Sequence, residues 1–290
     1  MAFNWKTFKT RTLTAIIFAA VMLTGLLWNQ WSFLILFSII HFGCWWEYFN
    51  LLEKIHNATY DRFTKIGFML IGFALMLLFC GKAFQINGYQ LMENFSFPIS
   101  VTGLVILGMG IFQTKNINLK AFGTAALGLL YISLSCGLML SLRQNGMVFK
   151  GNFLIIDFGI IPPIAIIFSI WINDTMAYIV GSLIGKTPLS RISPKKTWEG
   201  TIGGMILAII IMSIASWLTR FSIYDAIIIA TLSSIAGTFG DLLESKLKRM
   251  AGVKDSGNIM PGHGGFLDRF DSLLLAIPAV WLYVFLVFSI

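Results

Sequence analysis

Charged residues are scarce in this chain: Asp, Glu, Lys and Arg make up 12% of its 290 residues, against roughly 25% in soluble domains. A chain with so little charge lacks the polar surface that a soluble protein presents to water. Apolar residues make up 57% of the sequence and form long runs. The composition therefore predicts a protein of the lipid bilayer.

Cysteine is also rare, and the sequence contains neither internal repeats nor long polar linkers. The three cysteines, Cys44, Cys80 and Cys136, all fall within apolar runs. They have neither the spacing of a zinc site nor that of a disulfide framework, so we interpret them as packing residues. The lack of linkers predicts a single domain over residues 1–290.

Nine apolar segments approach the roughly 20 residues that a membrane-spanning helix needs. The alternating pattern of a transmembrane barrel is absent, so these segments are predicted to be helices, whose backbone groups bond within each segment. The predicted fold class is all-α, a polytopic integral membrane protein. The segments are 12–28, 31–50, 66–80, 97–113, 121–141, 159–181, 201–218, 224–240 and 272–289.

Basic residues are distributed unevenly among the segments between these helices. If the N-terminus is cytoplasmic, 17 of the 21 Lys and Arg residues lie on the cytoplasmic side, as the positive-inside rule requires. We therefore predict a cytoplasmic N-terminus, an extracytoplasmic C-terminus and, for so short a chain, a bacterial inner membrane. The net charge of +8 suits anionic headgroups or phosphorylated ligands on the cytoplasmic side rather than nucleic acid.

Charges of both signs concentrate between residues 241 and 271, beside a cluster of glycines. Asp241 follows the eighth segment, and Asp268 precedes the ninth. A connection that folds back would bring these two carboxylates together at the membrane surface, where they are costly unless they meet a cation. Mg²⁺ typically takes one or two protein carboxylates and completes its shell with water and phosphate oxygens. A solvated loop is the alternative interpretation.

The glycines of PGHGG, residues 261–265, have a use in such a site. Gly264 and Gly265 can adopt conformations in which backbone N–H groups face an anion, although a plain turn explains the glycines alone equally well. Cations around them favour phosphate binding: Lys246, Lys248, Arg249, Lys254 and Arg269.

A second polar cluster precedes the seventh segment, in GKTPLSRISPKKTWEG, residues 185–200. Its candidate ligand-binding residues are Ser193, Lys195, Lys196, Thr197 and Glu199. Asp174, in NDTMAY, lies within the sixth segment, and a carboxylate there is by default a functional-site hypothesis. A polar contact between helices is the alternative.

The stretch SKLKRMAGVKDSGNIMPGHGGFLDRFD, residues 245–271, resembles the signature of phosphatidate cytidylyltransferases, also called CDP-diacylglycerol synthases. Met260 stands where Leu, Ile or Phe is usual. SPKKTWEG and NDTMAY extend the resemblance to residues 171–271, whereas the N-terminal half is similar only as hydrophobic helices. The shared signature positions are Ser245, Leu247, Lys248, Arg249, Lys254, Asp255, Gly257, Pro261, His263, Gly264, Gly265, Asp268, Arg269 and Asp271.

The resemblance implies an enzyme that condenses CTP with phosphatidic acid, giving CDP-diacylglycerol and pyrophosphate, and that forms a homodimer. It implies that Asp241 and Asp268 are metal-binding aspartates. It also assigns the catalytic helices and loops to residues 159–290 and a scaffold to residues 1–150.

Residue roles in such a reaction follow from charge neutralisation, which dominates phosphoryl transfer. We expect Asp255, Asp271 or Asp174 at a second cation, and Ser193, Lys195 and Lys196 at the triphosphate or the lipid headgroup. His263 is expected to hydrogen-bond phosphate, because phosphatidate is ionised at neutral pH and needs no general base. The phosphates would be neutralised by Lys248, Arg249, Lys254 and Arg269.

Two other functions remain open at this point. A CTP-dependent kinase of a lipid alcohol would use similar substrates but release CDP. A transporter would need acids near the membrane midplane, for which Glu47 and Asp174 are the candidates within apolar segments.

Overall fold

The computed structural model describes residues 5–82, 84–113, 118–144, 158–258 and 264–288. Helices dominate these residues, which confirms the all-α fold class. One short antiparallel hairpin, β1 (Gln85–Ile86) and β2 (Tyr89–Gln90), accompanies them. The α-helices are α1 (Trp5–Leu27), α2 (Gln30–His56), α3 (Arg62–Leu77), α4 (Ser96–Gln113), α5 (Leu119–Gly128), α6 (Ser135–Gln144), α7 (Ile161–Ile184), α8 (Trp198–Thr219), α9 (Ile223–Met250) and α10 (Leu267–Phe288).

Three short helical stretches extend these elements. A π-helical turn, Leu91–Phe95, leads into α4, and another, Leu129–Leu134, joins α5 to α6 into one continuous helix. A 3₁₀ turn, Phe158–Ile160, precedes α7. Within the described ranges the chain therefore forms nine helical rods, as predicted.

Seven of the described helical rods are long and apolar enough to cross a membrane. The other two predicted spans are shorter than these seven. One is the apolar part of α1, Thr12–Leu27, and the other is α3, which has 16 residues. The multi-pass character is thus confirmed, while the side on which each terminus lies stays a prediction.

The ends of α9 and α10 differ from the predicted segments. The prediction ended the eighth segment at residue 240, but α9 continues to Met250, so Asp241 lies inside a helix. The prediction began the ninth at residue 272, but α10 starts at Leu267, which puts Asp268 in its first turn. Apolar runs mark the part of a helix in lipid, whereas Leu, Glu, Lys and Arg extend helices well in water.

A glycine cap ends α9. Gly252 has φ +66, a left-handed conformation that glycine adopts without a steric penalty. The N–H of Gly252 donates to Arg249 O at 3.2 Å and that of Val253 to Lys248 O at 3.0 Å. These are the two hydrogen bonds of a Schellman motif.

The chain divides into two compact units. The first comprises Met1–Gln144 with Leu247–Phe270, and the second comprises Asn145–Lys246 with Asp271–Ile290. Most of the 245–271 signature therefore belongs to the same unit as the N-terminal helices. The single domain, with a scaffold in 1–150 and catalytic elements in 159–290, stays a prediction.

In the first unit, α2 carries much of the buried core. Trp45 and Phe49 are fully buried, and the Trp45 ring stacks on Phe68 at 6.1 Å between centroids. Ser133 Oγ accepts a hydrogen bond from Trp45 Nε1 at 2.8 Å and lies 3.0 Å from His41 Nε2. These contacts fix α2 against the π-helical turn that joins α5 to α6.

In the second unit, small residues let helices approach closely. A Cβ on Gly204 of α8 would crowd Asn173 O and Ala177 of α7, and one on Gly200 would crowd Gly181. Close approach through small residues is a usual way for helices to associate in membranes. This packing fixes α7 against α8 at the end of each helix that borders the 185–197 loop.

Candidate active site

The loop between α7 and α8 is closed by backbone hydrogen bonds. Trp198 N donates to Thr187 O at 2.9 Å, and Leu189 N donates to Lys196 O at 2.7 Å. Glu199, in the first turn of α8, accepts hydrogen bonds from the backbone of Lys186 and Thr187 at 3.2 Å. The bonds across the loop place Lys196 at a defined position.

Thr197 and Glu199, which we expected at a substrate, both contact the chain itself. Thr197 is the N-cap of α8, and its Oγ1 accepts from Gly200 N at 3.1 Å. Such a cap satisfies one of the N–H groups that a helix start leaves open. Their observed contacts therefore shape the loop that carries Ser193, Lys195 and Lys196.

Lys196 forms an ion pair with Asp241 of α9. The two side chains are 30% and 27% exposed, so the pair is only partly buried by the chain. Ser245, one helical turn further along α9, donates to Asp241 Oδ1 at 3.3 Å. The second unit thus brings Lys196 of the 185–200 cluster together with Asp241 and Ser245 of the charged segment 241–271.

Two further predicted carboxylates belong to the same unit. Asp271 is buried and lies within electrostatic range of Asp241, Asp174 and Lys196. Asp174 is exposed on α7, and its Oδ1 accepts from Asn173 Nδ2 at 3.3 Å. Within the second unit, Asp271 therefore lies near two other predicted carboxylates and the ammonium of Lys196.

Asp268 is the centre of a hydrogen-bond network in the first unit. Its Oδ1 lies 2.7 Å from Lys248 Nζ. Its Oδ2 accepts from Gly265 N at 2.8 Å and from Ser256 N at 2.9 Å, and it lies 2.9 Å from Ser256 Oγ. The carboxylate is mostly buried, and its oxygens are held by this network.

The glycines of the signature fold around this carboxylate. Gly264 has φ +83, and a Cβ there would crowd Asp268. The backbone N–H of Gly265 donates to the side chain of Asp268. Binding of a phosphate by these glycines stays a prediction.

The remaining predicted residues line the surface or lie outside the described ranges. Ser193 is half-buried, and its carbonyl oxygen accepts from Lys196 N at 3.1 Å. His263 is among the residues 259–263, which lie outside the described residues. The exposed side chains are Lys195, Arg249, Lys254, Asp255 and Arg269.

Sequence reasoning missed Glu47 and Ser256 as members of this network. Glu47 of α2 is 2% exposed. It accepts from Ser256 Oγ at 2.6 Å and from the backbone of Phe266 and Leu267 at 2.9 Å. One signal was available: a carboxylate inside an apolar segment needs a partner. The sequence did not reveal that the hydrogen-bond partners of Glu47 lie more than two hundred residues further along the chain.

Asp241 and Asp268 have donor atoms that suit Mg²⁺, which prefers carboxylate oxygens. Asp241 is partly exposed and already faces a cation, the ammonium of Lys196. Asp268 also faces a cation, because its Oδ1 lies 2.7 Å from the Lys248 ammonium, while its Oδ2 accepts from the backbone N–H groups of Ser256 and Gly265. Within the described ranges, no group of three or more His, Cys, Asp or Glu residues forms a complete metal site. Each of these carboxylates suits an ion that keeps water and phosphate ligands, as Mg²⁺ usually does.

Comparison with known proteins agrees with the motifs. Residues 9–287 match the cytidylyltransferase family. A phosphatidate cytidylyltransferase of Staphylococcus saprophyticus is 31% identical over 275 residues, 93% of this chain and 96% of its own. One of Synechocystis is 31% identical over 301 residues, 97% of both chains, and one of Bacillus subtilis is 33% identical over 219 residues, 73% of this chain and 76% of its own. The chain is thus a member of the cytidylyltransferase family.

Proposed function

We propose that this protein is a phosphatidate cytidylyltransferase, which transfers the cytidylyl group of CTP to phosphatidic acid and releases pyrophosphate. The family match over residues 9–287 carries this proposal. Relatives of that name align over nearly their whole length and over nearly the whole of this chain, so the likeness is not limited to one shared motif.

The charges of the described site support an anionic reaction of this kind. An ionised lipid phosphate must approach the α-phosphorus of an anionic nucleotide, while pyrophosphate leaves in line. Positioning and charge neutralisation dominate catalysis of such steps. Lys196 and Lys248 are each held in place by a carboxylate, so their ammonium groups are positioned before a substrate binds.

Individual roles follow from position and exposure. Ser193 and Lys195 on the 185–197 loop would hold the triphosphate or the lipid headgroup, together with Lys196. Exposed Arg249 and Arg269 would bind phosphate oxygens through bidentate hydrogen bonds, with Lys254 as a further cation and His263 as a hydrogen-bond donor. Because both substrates are already ionised, none of these residues needs to act as a general base.

Asp241 and Asp268 are each a Mg²⁺ ligand in this proposal. When bound, the ion neutralises charge on the triphosphate and on the departing pyrophosphate. A second cation would be held by Asp271, Asp174 or Asp255. Asp271 within electrostatic range of Asp241 and Asp174 supports this assignment.

The location follows from the substrates. CTP is soluble and phosphatidic acid lies in the bilayer, so the reacting groups must meet at headgroup depth. We propose a homodimer in a bacterial inner membrane with its active site facing the cytoplasm. The bias of basic residues towards one side and the bacterial relatives support this placement.

The test uses the purified protein in vesicles with radiolabelled CTP and phosphatidic acid, with and without Mg²⁺. We expect labelled CDP-diacylglycerol and an equal amount of pyrophosphate, both dependent on Mg²⁺. Release of CDP with a lipid alcohol instead would identify a kinase. Passage of substrate across the vesicle membrane without a new product would identify a transporter.

A further inference from the structure

Glu47 is a buried carboxylate that contacts the signature from a distant helix. Its Oε1 accepts from Phe266 N, and its Oε2 accepts from Leu267 N and Ser256 Oγ, at 2.9, 2.9 and 2.6 Å. A buried carboxylate is costly unless hydrogen bonds replace its water shell. Three donors do so here, and all three belong to residues 256–267.

Two of these donors lie at the beginning of α10. The first N–H groups of a helix have no partner inside the helix and carry the positive end of its dipole. Phe266 immediately precedes α10, and Leu267 is its first residue. Glu47 therefore caps α10 from α2, as an N-cap side chain does from within its own helix.

The shape of the loop is matched to this carboxylate. A Cβ on Gly257 or on Gly265 would overlap the Glu47 carboxylate group. Gly43, one turn earlier on α2, leaves the space that the Phe266 ring occupies. Residues one turn apart share a helix face, so this face of α2 accommodates both the polar and the apolar part of the loop.

Ser256 connects Glu47 to Asp268. Its Oγ lies 2.6 Å from Glu47 Oε2 and 2.9 Å from Asp268 Oδ2, and its N–H donates to Asp268 at 2.9 Å. The hydroxyl has a single hydrogen, so it bonds to one carboxylate at a time and keeps both within reach. Displacing Ser256 from Glu47 would therefore also displace a partner of Asp268.

We propose that Glu47 is a positioning residue for the cytidylyl transfer. It holds Ser256 and the start of α10 at Phe266 and Leu267, and through Ser256 it fixes the orientation of Asp268. The N-terminal helices thus contribute to the reaction centre. The kinetic part of this inference rests on the proposed function, whereas the anchoring of the loop does not.

The test combines a spin label with kinetics. Asn258 is exposed and the three native cysteines are buried, so Asn258→Cys gives a selective site for a nitroxide. In Glu47→Gln an amide NH₂ replaces one oxygen, so at least one donor of the loop faces another donor. We expect greater nitroxide mobility in Glu47→Gln, and a kcat about 10- to 100-fold lower with a KM for CTP within about threefold.

Glu53→Gln is the matched control on the same helix. Glu53 is also hydrogen-bonded and paired, but with Tyr60 N and with Lys65 at 2.9 Å, away from the signature. The Glu53→Gln variant should retain the nitroxide spectrum and the kcat of the protein with Glu53. An equal effect of Glu47→Gln and Glu53→Gln would show a general loss of stability and overturn the proposal.

Two other outcomes are decisive. If Glu47→Gln does not insert, Ser256→Ala replaces it, and an unchanged spectrum and kcat in that variant would overturn the proposal. If the unsubstituted protein forms no CDP-diacylglycerol, the proposed function fails. The nitroxide comparison then still decides whether Glu47 anchors the loop.

Discussion

Lys248 Nζ lies 2.7 Å from Asp268 Oδ1, so a cation in the last turn of α9 meets a carboxylate in the first turn of α10. Each charge lies at the helix end whose dipole it complements. The side chains are only 15% and 7% exposed. Water therefore screens this pair weakly, and either charge alone would be poorly solvated.

Removing the cation of this pair should destabilise the protein. We expect Lys248→Met to lower the free energy of unfolding by about 3 kcal/mol, because breaking a buried pair leaves an uncompensated charge. Lys246→Met, an exposed cation on the same helix, should change it by less than about 0.5 kcal/mol. Pulse proteolysis in detergent measures both.

A double variant separates this effect from loss of packing. Asp268→Asn removes the negative charge whose cationic partner Lys248→Met deletes, so the double variant should be less destabilised than the sum of the two single variants. Additive losses, or a Lys248→Met protein as stable as Lys246→Met, would contradict a stabilising pair.

Asp241 provides a test of the metal assignment with a control on its own helix. Asp241→Asn should lower Mg²⁺-dependent CDP-diacylglycerol formation by about 100-fold, and Asp268→Asn should do the same, while both proteins still insert. Asp225, at the other end of α9, hydrogen-bonds Tyr283 Oη. Asp225→Asn should remain active. Near-normal turnover of Asp241→Asn or Asp268→Asn across a Mg²⁺ titration would remove the metal role from that residue.

The helices could be predicted from the sequence because most of the apolar runs are long enough to span a bilayer, where a run can satisfy its backbone only as a helix. The ends of α9 and α10 could not, since polar residues continue a helix beyond the lipid. The segment from Asp241 to Met250 contains good helix formers, and it ends only where Gly252 supplies a left-handed residue.

The candidate site was predictable in its residue types but not in its pairings. The charges near residues 196, 241, 248 and 268 stood out in so apolar a chain. The ion pair of Lys196 with Asp241, and the three donors around Glu47, depend on tertiary contacts between distant segments. Sequence spacing reports neighbours within a helix or turn, and it does not report which carboxylate a distant loop will contact.

Gly265 should tolerate no side chain. A Cβ there would overlap both oxygens of Glu47, and overpacking of this kind costs about 1–3 kcal/mol. We expect Gly265→Ala to lower thermal stability and to reduce activity, because the N–H that Asp268 accepts from would shift. The comparison is with Gly108→Ala in α4.

At Gly108 a Cβ would meet nothing within 4 Å. Replacing a helical glycine by alanine there should stabilise the helix by about 0.5–1 kcal/mol. A loss of stability in Gly265→Ala together with a gain in Gly108→Ala would support close approach as the reason for glycine at position 265. Equal and small effects would show that the loop relaxes away from Glu47.

Lys195 and Lys196 are neighbours in sequence but should differ in their dependence on ionic strength. Lys195 is exposed, whereas Lys196 is partly buried and paired with Asp241. An exposed cation attracts CTP through water, so Lys195→Ala should raise the KM for CTP at low salt. The increase in KM for CTP should disappear at about 1 M salt, where the screening length is about 3 Å. Lys196→Ala removes a charge held at short range and should lower kcat at every salt concentration. Initial rates measured across a salt series decide the matter, and a parallel response of the two variants would show that both lysines act as one diffuse basic surface.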